Sequence, residues 1–400
     1  MGLIVQKFGG SSLASAEHVR GAAEQVLAAR RDGHDVVVVV SAMGSTTSDL
    51  LGLAGDISDD PTPRELDVLL STGECVSMSL LAMALQGHGV DAVSLTGAQG
   101  GIRTGPDHFN AAIEDIDTAR IRAELDAGRV VVVAGYQGEG PTRDVTTLGI
   151  GGSDISAVAL AGALGAERCE ICSDVDGVYS ADPRVVADAQ RLDEISYAEM
   201  IELARHGAGV LNPRAVEHAR DDGVEIFARS TFEPERGGTF VRDVTRTAGP
   251  RVVGVTSHDA LLPVRIQGDE VGRIGDAVLE RLGKDDVFLD HTDTRGARRE
   301  LLISHQDVAD PEAFARRVRA EFGERVAIAS PCGSVSAIGL RAGTADALRT
   351  ESHTRSREAG IALHGDYNDE HWFTCVVEPR QVERALNVLH ENLEIASDAA

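Results

Sequence analysis

Lysine is almost missing from this 400-residue chain: Lys7 and Lys284 stand against 36 arginines. The net charge is −26, which excludes non-specific binding to nucleic acid or to an anionic membrane. A salt-adapted host or a GC-rich genome would each account for that balance. Where lysine is so scarce, one that ends a strand beside a glycine turn is a functional candidate, which singles out Lys7. Cysteine is sparse too, and five thiols, an odd number, build no secreted disulfide framework. Cys169 and Cys172 fall in an expected strand, where residues three apart point to opposite faces, so buried free thiols are expected rather than a chelating pair. The thirteen histidines show no H-E-x-x-H or comparable spacing, and no protein-held metal is expected. No apolar run reaches 18 residues; Val36–Val40 and Val130–Ala134 are strand-sized. The chain opens as a strand with no basic-then-apolar leader, and Gln6 breaks a myristoylation pattern. These absences predict a soluble, cytoplasmic protein of two to three domains.

Glycine, by contrast, gathers at the ends of the apolar strands. Thr146-Thr147-Leu148-Gly149-Ile150-Gly151-Gly152-Ser153-Asp154 leads into an alanine-rich run from Ile155 to Ala161. Glycine inside a strand or helix costs about 0.5–1 kcal/mol, so this stretch reads as a loop whose N–H groups approach a ligand. Ser153-Asp154 is the expected N-cap of the helix that follows, and such a loop is an anion site. The amino terminus repeats the grammar with strand Leu3–Phe8, turn Gly9-Gly10-Ser11-Ser12 and a helix over 16–31. No Gly-Lys-Ser/Thr closes that turn, so it is not a Walker A loop. Strands at 36–41, 92–94, 130–134, 168–173 and 225–229 alternate with helices near 64–70, 75–86, 118–127, 197–206 and 214–220. Gly44–Asp49 reads as a polar turn, and 96–104 as a loop. This alternation predicts a mostly parallel sheet covered on both faces, with ligands at the carboxyl ends of its strands. Asp174–Arg184 is either a surface turn or a nucleotide segment, in which Tyr179 supports a base or ribose and Arg184 reaches a phosphate.

Lys7-Phe8-Gly9-Gly10-Ser11-Ser12 resembles the opening signature of the aspartate kinases. Ser41-Ala42-Met43-Gly44, Ser71-Thr72-Gly73-Glu74, Thr142–Gly149, Gly151-Gly152-Ser153-Asp154 and Asp174–Arg184 resemble further motifs of that family, in its order, over about residues 1–242. The resemblance implies an α/β fold: a three-layer α/β/α amino-acid-kinase domain with a mostly parallel sheet at 1–248. Two α+β, ferredoxin-like ACT modules would follow, at 249–325 and 326–400. It implies ATP-dependent phosphorylation of the β-carboxylate of L-aspartate to 4-phospho-L-aspartate, the first step towards lysine, threonine and methionine, with Mg²⁺ carried by the nucleotide. It also implies homo-oligomerisation through the ACT modules and feedback by lysine, threonine or both.

Phosphoryl transfer to a carboxylate needs no proton removed from the acceptor. The protein has to bring two anions together and neutralise charge on the moving group. Lys7 is the natural point charge, aided by the amides of Gly9-Gly10 and Gly151-Gly152, with Asp154 orienting Lys7. Glu74 would pair with the substrate ammonium, and Ser41, Thr47 and Ser153 would complete the acceptor side. Phe8, Ser173, Asp174, Tyr179, Asp182 and Arg184 would line the nucleotide side. Read blandly, Lys7 is a strand end, Glu74 a capping residue and Asp154 a carboxylate complementing a helix dipole.

Two positions depart from the family pattern. Ile150 stands where an arginine for the substrate α-carboxylate is usual, and Gly209 where a lysine near the nucleotide phosphates is usual. Losing a bidentate arginine costs ~2–5 kcal/mol of binding. Either Arg143, Arg103 or Arg229 substitutes, or the acceptor is another carboxylate, as in glutamate-5-kinase-like or N-acetylglutamate-kinase-like activity. A catalytically silent homologue that binds ATP or amino acids and regulates is the reading from a different class.

Beyond Gly249-Pro250, expected strands at 252–257, 261–267, 301–304, 326–329, 335–340 and 373–377 alternate with helices at 273–282, 345–359 and 381–393. Two β-α-β-β-α-β-like units result. Gln267-Gly268-Asp269-Glu270 replaces the Pro-Gly common in effector-binding modules, which leaves feedback regulation and a purely oligomerising role both open. His364–His371 lacks EF-hand spacing and reads as a solvated loop.

Overall fold

The computed structural model describes residues 2–244, 252–282, 287–292, 297–304, 311–339 and 345–391. The expected boundary at 248/249 and Lys284 lie outside these. The chain forms two compact units. One comprises the described residues up to 178 with 191–201 and 209–244; the other comprises 179–190, 202–208 and the described residues from 252 onward.

In chain order the first part runs β1 (Leu3–Phe8), α1 (Ala16–Arg31), β2 (Asp35–Val40), α2 (Thr46–Ile57), α3 (Pro63–Leu70), α4 (Thr72–Gly87) and β3 (Ala92–Leu95). It continues with β4 (Ile102–Thr104), β5 (Ile113–Ile116), α5 (Ala119–Asp126), β6 (Val130–Ala134), β7 (Gln137–Glu139), β8 (Val145–Thr147), α6 (Gly152–Leu164) and β9 (Arg168–Ser173). Then come β10 (Glu194–Ser196), α7 (Tyr197–Arg205), α8 (Pro213–Asp222), β11 (Ile226–Ser230) and β12 (Gly238–Arg242).

The main sheet has the order β10-β12-β11-β9-β1-β2-β6-β3, and every pairing in it is parallel except β11 with β12. The valine run of β2 is buried on both faces because helices cover both. Ile4, Phe8, Val36, Val38 and Val132 meet α1 and α4 on one side. The other side takes α6, which is buried almost all round. β1 lies between β2 and β9. The chain order reverses there, so the crevice at the carboxyl end of β1 is the place where such sheets bind ligands. A smaller sheet, β5-β4-β7-β8, ends just before the glycine loop.

Three expectations for this part need correcting. The Gly44–Asp49 turn gives way to α2 at Thr46. The loop 96–104 contains the short strand β4. α6 is capped by Gly151 at φ 72°, with Gly152 as its first residue, so Ser153 and Asp154 lie inside the first turn and do not cap it. The stretch Pro63–Gly87 is long and apolar enough by composition to cross a membrane. Here it is two helices, and Leu81 and Leu85 of the second are core residues.

The second unit is built on β13 (Gly254–Gln267), α9 (Val271–Leu282), β14 (Val287–Thr292), β15 (Arg298–Ser304), α10 (Pro311–Phe322) and β16 (Val326–Ile328). β17 (Cys332–Ile338), α11 (Ala345–Glu358), β18 (Leu363–Asn368), β19 (Trp372–Val377) and α12 (Val382–Glu391) complete it. One seven-stranded antiparallel sheet contains all of these strands, in the order β14-β15-β13-β17-β19-β18, with β16 also paired to β13. The two strands expected at 252–257 and 261–267 are the single β13, interrupted by a bulge between His258 and Leu261. The extra residue switches the alternation. Val255 on one side of the bulge and Leu262, Val264 and Ile266 on the other therefore all face the helices. His364–Asn368 belongs to β18 and is not a loop; Asp366 there pairs with His353 and Arg349. On the sheet's opposite face His206 packs against Phe288 and Trp372, and burial pushes its pKa down to about 3.

Candidate active site

Lys7 points from the carboxyl end of the central strand, and its Nζ lies 2.6 Å from Asp154 Oδ1. The two side chains are 10% and 13% exposed, so the pair is largely shielded from water and the charges act at short range. The approach is charge to charge, and among the described residues no hydrogen-bond donor is aligned on that oxygen. Asp154 in the first turn of α6 also complements the helix dipole. The functional and the bland readings of it therefore coexist.

Around this pair the glycines are required by close contact. A Cβ on Gly10 would stand 3.0 Å from the Ala42 carbonyl oxygen, and one on Gly135 2.8 Å from Ser153 Cβ. Gly149 and Gly151 have φ of 77° and 72°, a region that L side chains rarely adopt. The Gly9 N–H donates to the Cys172 carbonyl, locking the first loop against β9. Phe8 is fully buried in the core beneath that loop.

The acceptor-side candidates come together. Ser41 Oγ and Ser153 Oγ are hydrogen-bonded at 2.7 Å across the crevice. Glu74 is 3% exposed, and its Oε1 accepts from the Ala42 N–H at 2.9 Å. Among the described residues its Oε2 is buried without a hydrogen-bond partner. Burial raises the Glu74 pKa to about 7, against the pull of backbone N–H groups and of the nearby Lys7 ammonium. A shielded carboxylate oxygen with nothing to accept from is a socket for a cationic group. Thr47 lies in the first turn of α2, half-buried.

The nucleotide-side candidates divide. Ser173 ends β9, where its Oγ holds the Val175 N–H at 3.4 Å, and Asp174 beside it is exposed. Both belong to the first unit, whereas Tyr179, Asp182 and Arg184 belong to the second. Arg184 donates to both Asp182 oxygens, from Nε to Oδ1 at 3.0 Å and from Nη2 to Oδ2 at 2.7 Å, and holds that carboxyl below its usual range. Gly209 has open space where a side chain would go.

Of the three substitutes for the missing arginine, none is set against the glycine loop. Arg229 is buried between Glu170 and Gln25. Arg103 pairs with Asp115 and Asp117. Arg143 sits in the turn of the β7–β8 hairpin, at the end away from Leu148. The arginine found there is Arg214 in the first turn of α8, which sequence reasoning missed. Its Nη1 donates to Asn110 Oδ1 at 2.7 Å and to the Leu148 carbonyl at 3.5 Å. The N-cap of α8, Asn212, donates to the Ile150 carbonyl at 3.1 Å. An Asn-Pro helix start was legible at 212–213, but not what it would touch 62 residues back.

Comparison with known proteins agrees with this architecture. Residues 2–230 match the amino acid kinase family. The aspartokinase of Geobacillus stearothermophilus is 42% identical over 406 residues, covering 100% of this chain and 99% of its own. The chain belongs to the aspartokinase family. A solved structure of E. coli aspartokinase III in complex with aspartate and ADP superposes with a TM-score of 0.83, at 24% identity, over 98% of this chain and 99% of that one. The same enzyme in complex with lysine and aspartate gives 0.75, at 23% identity, over 98% and 99%. At these identities the structures establish the common fold. The family membership makes the chain an amino-acid kinase.

Proposed function

We infer that the chain is an aspartate kinase, transferring the terminal phosphoryl group of ATP to the β-carboxylate of L-aspartate to give 4-phospho-L-aspartate. The observation that carries the reading is the shielded Lys7–Asp154 pair at the carboxyl end of the central strand, between two glycine loops. The acceptor oxygen is already ionised, so Asp154 holds the ammonium in place and takes no proton. Lys7 and the amides of Gly9, Gly10, Gly151 and Gly152 stabilise the charge that spreads over the transferred group. Glu74 receives the aspartate ammonium on its unpartnered oxygen, and Ser41, Thr47 and Ser153 fix the acceptor. Ser173 and Asp174, at the carboxyl end of β9, serve the nucleotide, whose phosphates carry the Mg²⁺.

In this reading the catalytic domain spans 1–248 and ACT modules span 249–325 and 326–400. The modules assemble copies of the chain and take lysine, threonine or both as effector, and the protein works in the cytoplasm. Support for the effector is the solved relative whose complex contains lysine.

Purified protein with ATP, Mg²⁺, aspartate and hydroxylamine is expected to yield aspartyl hydroxamate. Lys7→Ala should lower kcat by roughly 10²–10³-fold with the melting temperature little changed. Nucleotide binding without turnover of any amino acid would instead identify a silent regulatory homologue. Turnover of a different carboxylate alone would reassign the acceptor.

A further inference from the structure

An acceptor amino acid brings three charged groups to this crevice. On the kinase reading above, its ammonium goes to Glu74 and its reacting carboxylate to the phosphoryl group beside Lys7. The remaining carboxylate must then be held within a protein whose net charge is −26. A buried or half-buried carboxylate without a cation or several N–H donors is costly, so the loop that faces the acceptor needs a positive partner. Its own side chain at the centre, Ile150, is apolar and 72% exposed, and supplies none.

The first turn of α8 grips that loop at both ends. Asn212 holds the Ile150 carbonyl, and Arg214 holds the Leu148 carbonyl. Asn212 Oδ1 in turn accepts from the Arg214 N–H at 2.9 Å, so the two side chains are fixed by one cap. Asn110, which accepts from Arg214, is also anchored. Its neighbours His108 and Phe109 are bonded to Asp67, a carboxylate with 0% exposure that also accepts from Thr147 Oγ1 at 2.6 Å. A Cβ on Gly149 would meet Asn110 Oδ1 at 2.7 Å, which sets Asn110 and the Arg214 guanidinium against the glycine loop itself. A guanidinium offers paired donors matched to the two oxygens of a carboxylate.

We propose that Arg214, held by Asn110, is the residue that recognises the non-reacting carboxylate of the acceptor amino acid, doing from α8 what Ile150 cannot do from the loop. The inference rests on the kinase reading and sharpens its substrate class. Acceptors with a free α-carboxylate are selected, and those with that group capped are rejected.

The test compares aspartate with its α-amide as acceptors for the full-length protein and for Arg214→Met. The variant is expected to lose about ten- to hundredfold in kcat/KM for aspartate. It should keep its KM for ATP within about twofold and lose most of the preference for aspartate over the amide. Ile150→Arg added to Arg214→Met should restore that preference. A folded Arg214→Met protein with unchanged preference overturns the proposal, as does an equal loss on both acceptors. Should Arg214→Met melt far below the parent, Arg214→Gln, which keeps a donor for Asn110, carries the same comparison: a lost preference supports the proposal and a retained one overturns it. A parent protein that turns over no aspartate defeats the kinase reading itself, an outcome distinct from a parent that works and a variant that is indifferent.

Discussion

Glu74 sets a testable pH dependence. Its carboxyl titrates near 7 because it is buried, and only the ionised form attracts an ammonium. As pH falls through 7 the carboxyl takes up a proton and the attraction is lost; above about 8 it is complete. The KM for aspartate should therefore fall between pH 6 and 8 and then level off, while the KM for ATP stays flat. Glu74→Gln should remove the slope and hold the KM near the high value that the parent approaches at low pH. A profile of kcat/KM against pH for both substrates checks this, and an unchanged slope in the variant assigns it to another group. The residues of this socket were legible one by one in the sequence, because Lys7, Glu74 and Asp154 each occur within a short motif. Arg214 was not legible, since its place depends on a carbonyl 66 positions earlier that only the packing of α8 on α6 brings near.

Among the elements, long buried ones were readable and short half-exposed ones were not. β2 and β6 announce themselves as near-continuous valine runs. β4, β5, β7 and β8 have three or four residues each, too few for an alternation to show. α2 has Leu50, Leu53, Ala54 and Ile57 at helical spacing, yet it buries none of its residues, and the glycine- and serine-rich start at 44–49 read as a turn. The cap of α6 was misplaced because Ser-Asp is the stronger local signal, whereas the turn needs the left-handed conformation of Gly151. That requirement is a prediction. Gly151→Ala would meet Asn212 Cβ at 2.7 Å and adopt an unfavourable φ, costing about 1–2 kcal/mol or more. Activity should fall further than stability, since the same loop faces the acceptor. Paired denaturation and rate measurements decide, and a variant with parental activity would detach the loop from the site.

At the level of the whole molecule the dominant fact is charge. A net −26 means self-repulsion that ions screen beyond about 10 Å at 0.1 M salt. The melting temperature should climb by several degrees, on the order of 5 °C, between 0.05 and 1 M NaCl. An equal osmolarity of sucrose serves as the control, and a flat or falling curve would mean that the acidic surface is locally compensated. The larger organisation also carries a rule for how this chain can change. The bulge in β13 works like a phase marker. Losing a single residue at 259–260 would leave Val255 on its helices but rotate Leu262, Val264 and Ile266 towards the other side, so this point tolerates length changes only in pairs. Two halves that share one strand this way are kept in step by a single spacer, and lineages that lengthen or shorten it singly should be absent among folded relatives.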